Sequence, residues 1–231
     1  MSNRISDYTM EDLADRLMLT VCNYDLCSDS LVNFPHIRKG GLALYVQVAT
    51  PSSKNIDGMY TSWLTVTNDR LNAWGISKEV LFDLAASSSS KLNPGFVVSI
   101  DSFLKNDTGL NIGDELPNGL IISNQFNFNG SASIFYDESL LKKACEMLEA
   151  DSLTLFPVDV NQIFVFSDKS YDSYEKNEIR NMITEAIDEA DRIVPDWLEY
   201  HLKDNQIADY SNNTCFEPSV RDESVVNTRH R

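Results

Sequence analysis

The chain has 231 residues, 35 of them acidic and 19 basic, for a formal net charge of −16. A hydrophobic fraction of 42% with 10% aromatics is ordinary for a packed protein and too rich for a disordered one. The negative field repels phosphate backbones and anionic lipid, so direct nucleic-acid or membrane binding is not expected and a basic partner is favoured.

No run of about 18 apolar residues occurs, which excludes a helical membrane span. The charged opening residues do not read as a signal peptide. Cys22, Cys27, Cys145 and Cys215 form no closely spaced metal-type pair. The expectation is a cytoplasmic protein with free thiols.

In chain order, Thr9 with Asp12 predicts a capped helix start. Met10, Leu13, Ala14, Leu17, Met18 and Val21 continue at helical spacing. Gly40-Gly41 breaks the chain before a strand over Leu42–Ala49, and Trp63–Thr67 is a second strand, with a polar loop between. A short helix runs over Asp69–Trp74 and stops at Gly75. Ser77 caps another helix, built on Val80, Leu81, Leu84 and Ala85 and leading into the serine run Ser87–Ser90.

Gly95–Ile100 reads as a strand. Leu120–Ser123 and Ala132–Phe135 read as two antiparallel strands, turned at Asn129-Gly130. Asp137 caps a helix carrying Leu140, Leu141, Ala144, Cys145 and Leu148 on one face. Leu153–Phe156 and Gln162–Phe166 are strands. The clearest helix spans Ser173–Asp191, with Ile179, Met182 and Ile183 on its inner stripe. Trp197, Leu198 and Tyr200 fold back on the core, and Trp63 and Trp74 are expected in it. The whole is α+β: a mainly antiparallel sheet flanked by amphipathic helices. Residues 1–204 form one globular domain, and 205–231, poor in apolar residues, form a mobile polar tail.

Familiar catalytic signatures are missing from the sequence. There is no phosphate loop, nucleophile elbow, kinase set or HExxH. The histidines are His36, His201 and His230, at spacings that suit no zinc site. No metal or cofactor is therefore expected. Cys22 and Cys27 read as small residues near a helix end rather than as a redox pair. His36 is the one candidate base, though no partner for it can be named. Asp159 and Asn161 lie between two strands, where an acid can serve chemistry but more often shapes a turn. On the last helix, Glu175, Glu178, Glu185, Asp188 and Glu189 form an acidic face suited to a basic partner or simply to water.

Three ordered stretches carry a resemblance. The first is Asn23-Tyr24, Leu31 and Phe34-Pro35-His36 leading into Leu42–Val46. The second is Leu71–Ile76 followed by Lys78–Leu81 and Leu84-Ala85. The third is Ile121–Asn124, Gly130–Ala132, Leu140-Leu141, Leu155–Pro157 and Ile163. In this order, over residues 5–200, the chain resembles an uncharacterised bacterial domain family frequent in gut anaerobes and often carried on mobile elements. The resemblance implies that relatives have an additional N-terminal region, and a His-Glu pair where this chain has Asn161-Gln162. It implies no activity.

Three functions fit these observations: a non-enzymatic interaction or regulatory protein with a protein partner, an enzyme whose scattered site uses His36 with Asp159 and Asn161, and an acidic mimic of nucleic acid that inhibits a basic protein. The last requires carboxylates spaced along one face.

Overall fold

The computed structural model describes residues 8–50, 62–103, 118–126, 128–185, 193 and 197–222. Every strand pairing among them is antiparallel, and helices flank the sheets, so the α+β expectation holds.

Thr9 accepts from Asp12 N–H, while the Asp12 carboxylate accepts from Thr9 N–H, the reciprocal cap that the sequence predicts. The helix is nevertheless short. After α1 (Met10–Leu13) and a 3₁₀ turn, the chain becomes β1 (Leu17–Asn23). The helical spacing through Val21 misleads because six successive residues of β1 are buried, on both faces of the strand. A continuous apolar run of that kind satisfies helix and strand periods alike.

β1 pairs along its whole length with β3 (Leu42–Ala49). The other edge of β3 is shared: β2 (His36–Lys39) takes its first half and β4 (Trp63–Thr65) its second. A short helix, α2 (Ser28–Leu31), precedes β2.

α3 (Asn68–Trp74) is capped by Thr67 and ended by Gly75 in the left-handed region at φ 67°. α4 (Lys78–Leu92) starts at Ser77, whose hydroxyl accepts from Val80 N–H. The serine run is the inner turn of α4, not a spacer. Ser89 is fully buried, and its Oγ accepts from Leu19 N–H at 2.8 Å. A small hydroxyl side chain thus lets the helix lie against β1 and satisfies a strand N–H that would otherwise be unpaired.

The second sheet has seven strands in the order β11-β10-β9-β7-β8-β6-β5. Its members are β5 (Gly95–Ser99), β6 (Leu120–Asn124), β7 (Ser152–Pro157), β8 (Ile163–Ser167), β9 (Leu198–His201), β10 (Gln206–Asp209) and β11 (Thr214–Phe216). The expected strand at Ala132–Phe135 is instead a 3₁₀ turn running into α5 (Ser133–Tyr136), followed by α6 (Ser139–Leu148). β6 pairs with β5 and β8 rather than with a local neighbour, so Asn129-Gly130 closes no hairpin.

The residues of this sheet alternate cleanly between two cores. Leu120, Ile122, Leu153, Leu155, Ile163 and Val165 join α4, α5, α6 and the inner face of the four-stranded sheet in the main core. Ile121, Phe156 and Phe166 point the other way and pack with Ile179 of α7 (Ser173–Glu185).

The polar tail is corrected in part. Residues 206–216 form two strands, with Ile207, Ala208 and Phe216 buried. The polar composition there belongs to tight turns, with Asn205 and Asn213 left-handed at φ 49° and 50°. Residues 223–231 lie outside the described residues. Trp63 and Trp74 are only half-buried, one stacked on Phe128 and the other packed at the core's margin. Tyr200 is fully buried in β9, in line with the expected fold-back.

Candidate functional site

His36 opens β2 opposite Tyr45, which in turn stands opposite Thr20. Cross-strand partners share a face, so these three form a row on the outer face of the four-stranded sheet. His36 Nδ1 lies 3.0 Å from the Phe34 carbonyl, a bond that places the hydrogen on Nδ1. Its ring tilts against Tyr24 at 6.0 Å, and the Arg38 guanidinium caps the other ring at 4.0 Å. Among the described residues no carboxylate bonds the imidazole. Burial pushes the Tyr45 phenol up, with a bond to Thr20 opposing the shift.

Asp159 and Asn161 lie in the turn between β7 and β8. Asp159 Oδ1 accepts from Asn161 N–H at 2.6 Å and Gln162 N–H at 3.1 Å, which fixes the turn. The Asn161 carbonyl accepts from Ser123 Oγ at 2.7 Å, and Asn161 Oδ1 accepts from Asn129 N–H at 3.2 Å. Asn129 then crosses to the other sheet: its Oδ1 accepts from Thr20 Oγ1 at 2.8 Å, and its Nδ2 donates to Gln47 Oε1 at 3.3 Å. Ser131 Oγ donates to the Asp159 carbonyl at 2.6 Å. Gln162 Oε1, buried beside this turn, finds no donor among the described residues.

Asp159 and Asn161 therefore meet in their turn, whereas His36 lies along the same path but reaches neither. Strands are about 4.8 Å apart, so His36 stands roughly 10 Å from Thr20, with Asn129 and Asn161 still between it and Asp159. A general base must reach its proton partner within hydrogen-bond distance or through one water; this row offers no such pair. Its chemistry is that of a polar seam between the sheets.

Asn129 and Gly130 carry this seam, although the sequence marks them only as a turn. Asn129 is left-handed at φ 55°, and a Cβ on Gly130 would fall 2.0 Å from the Asn161 carbonyl oxygen. The Asn-Gly pair was the signal; it marks close backbone approach as well as turns.

The cysteines are free, as expected. Burial, then a hydrogen bond with Cys27, raises the Cys22 thiol, the opposite of what a reactive thiolate needs. No group of three or more His, Cys, Asp or Glu suited to a metal ion occurs among the described residues.

On α7, Glu175, Glu178 and Glu185 are exposed, while Asp188 and Glu189 lie outside the described residues. Glu175 also turns back to accept from Asp172 N–H at the helix start. Met182 is not on the inner stripe as expected: it is 52% exposed, and Tyr174 is 70% exposed. Lys176 instead turns inward to Asp168. The Tyr174 phenol is raised by its bond to Glu178.

A family described as a family of unknown function (DUF5688) matches residues 2–198, and the chain belongs to it. No curated protein and no solved structure matches.

Proposed function

We propose, for this member of a family without an assigned activity, that the chain is a non-enzymatic interaction protein whose α7 face receives a basic segment of a protein partner. The observation that carries the reading is the outward face of α7. Tyr174 and Met182, two large side chains left in water, stand eight residues apart, about 12 Å along the axis. Glu178 lies on the same stripe between them, with exposed Glu175 and Glu185 beside it. Apolar anchors rimmed by charge make up the usual anatomy of a binding patch. The carboxylates and the net charge of −16 specify a basic occupant. A cytoplasmic setting suits the free thiols, and carriage on a mobile element suits a small protein directed at a host component.

The test compares the wild-type chain with Tyr174→Ala/Met182→Ala and with Glu178→Lys in capture from native lysate at low and raised salt. All three positions are solvent-facing, so melting temperatures should stay together. The expected result is a stoichiometric basic protein on the wild type, weakened by raised salt and lost from both variants. Loss of an anchor of this kind weakens binding by about 2 kcal/mol, roughly thirtyfold. An unchanged set of captured proteins on the variants, or none on the wild type, would overturn the reading.

A further inference from the structure

A cavity of about 240 Å³ opens between β4 and α3. Its floor is Val48 and Val66, both otherwise buried, and its rim includes Leu64, 46% exposed. The wall is the Trp74 indole, held by an Nε1–H bond to the Tyr8 carbonyl at 3.4 Å. At about 30 Å³ per water, the space takes about eight waters, or a ligand of about ten non-hydrogen atoms.

One charge serves this apolar recess. The Arg70 guanidinium lies over the Trp74 ring, 5.8 Å from its centroid. In a chain with 35 acidic residues, it has no carboxylate partner among the described residues. Arg70 N–H donates to Thr67 Oγ1 at 3.2 Å, which leaves the guanidinium donors and the Thr67 hydroxyl hydrogen for a ligand. A planar fork beside an aromatic wall matches a carboxylate on an apolar body.

We infer that this cavity binds a small apolar or aromatic carboxylate, its body against Val48, Leu64, Val66 and Trp74 and its carboxylate on Arg70. A free organic acid and the C-terminal residue of a peptide share that chemistry. The site is separate from α7 and does not depend on the partner proposed there.

The probe is hydrocinnamate, with its neutral amide as control. The readout is two-dimensional NMR of the tryptophan indole N–H groups, with Trp74 assigned by Trp74→Phe. A ligand of this size should shift the Trp74 resonance with a Kd on the order of millimolar. The amide should bind at least about tenfold more weakly, and Arg70→Gln should lose that same factor and abolish the distinction. Leu64→Asp, an exposed change that places a carboxylate at the mouth, should also weaken the acid. If a phenylalanine-ended peptide with a free C-terminus binds better than hydrocinnamate, and amidation removes the gain, the ligand is a chain end; the reverse order assigns it to a free acid. No Trp74 shift at about 10 mM, equal binding of acid and amide, or an unaffected Arg70→Gln would each overturn the inference.

Discussion

The seam around Asn129 and the cavity beside Trp74 are opposites. The seam gathers the residue types that look chemical in a sequence: Asp159, Asn161, Thr20, Gln47 and two serines. Their bonding groups are largely occupied by one another and by backbone. The cavity has few polar groups, but its cation has no anionic partner among the described residues. A site is marked by bonding capacity still open to a ligand, and residue type alone does not report that.

The comparison breaks most readily at Gly130. A Cβ there meets the Asn161 carbonyl oxygen at 2.0 Å, backbone that cannot swing aside as a side chain would. Gly130→Ala should destabilise by about 2–4 kcal/mol in denaturant unfolding. Gly75→Ala is the control, since nothing lies within 4 Å of its added Cβ and only its φ of 67° opposes the change. It should cost about 1 kcal/mol. Equal costs would mean that the seam is loose enough to part, and Asp159 and Asn161 would return as candidates for chemistry.

Much of this was legible where the determinant is local. Thr9 with Asp12, Thr67, Gly75 and Ser77 set their helix ends through bonds within a few residues, and each was readable apart from Thr67. The seven-stranded sheet was less so. Its alternation could be read strand by strand, yet the pairing of β6 with β8 and of β7 with β9 joins residues about 45 apart in sequence. β1 and α5 were missed because tertiary burial overrides period. The tail was missed because Ile207, Ala208 and Phe216 are few, and only their position in strands makes them core. Neither the seam's mutual bonding nor the open Arg70 could be read from the sequence, since both depend on what does or does not approach from elsewhere.

A second fastening between the sheets sharpens the contrast through pH. Asp209, 1% exposed, reaches the β2–β3 turn: its Oδ2 accepts from Gly41 N–H at 2.7 Å and Asn212 Nδ2 at 3.0 Å, and its Oδ1 accepts from Ser211 and from Asn212 N–H. Burial alone would raise this carboxyl, but the bonds from Ser211, Gly41 and Asn212 outweigh it and hold the pKa below the ordinary value. A lowered folded pKa means stability that is present above the unfolded value of about 3.9 and is lost as pH falls through the folded one. Asp209→Asn should cost about 1–3 kcal/mol near neutrality, because donors face both oxygens and an amide must set donor against donor. Unfolding curves should show that gap narrowing below about pH 4. A gap independent of pH would remove the charged knot from the account.

The smallest effect belongs to the cavity. Arg70 is half-buried, is 5.8 Å from the Trp74 centroid and has no carboxylate partner among the described residues. Arg70→Gln should therefore change stability by no more than about 0.5 kcal/mol, the scale of an exposed cation–π contact. Cation and seam are then distinguished by experiment: residues that hold the fold reveal themselves in unfolding, whereas a residue kept for a ligand should reveal itself only when the acid is added. If Arg70→Gln cost as much as Asp209→Asn, the guanidinium would be structural, and the difference between an occupied seam and an open cavity would disappear.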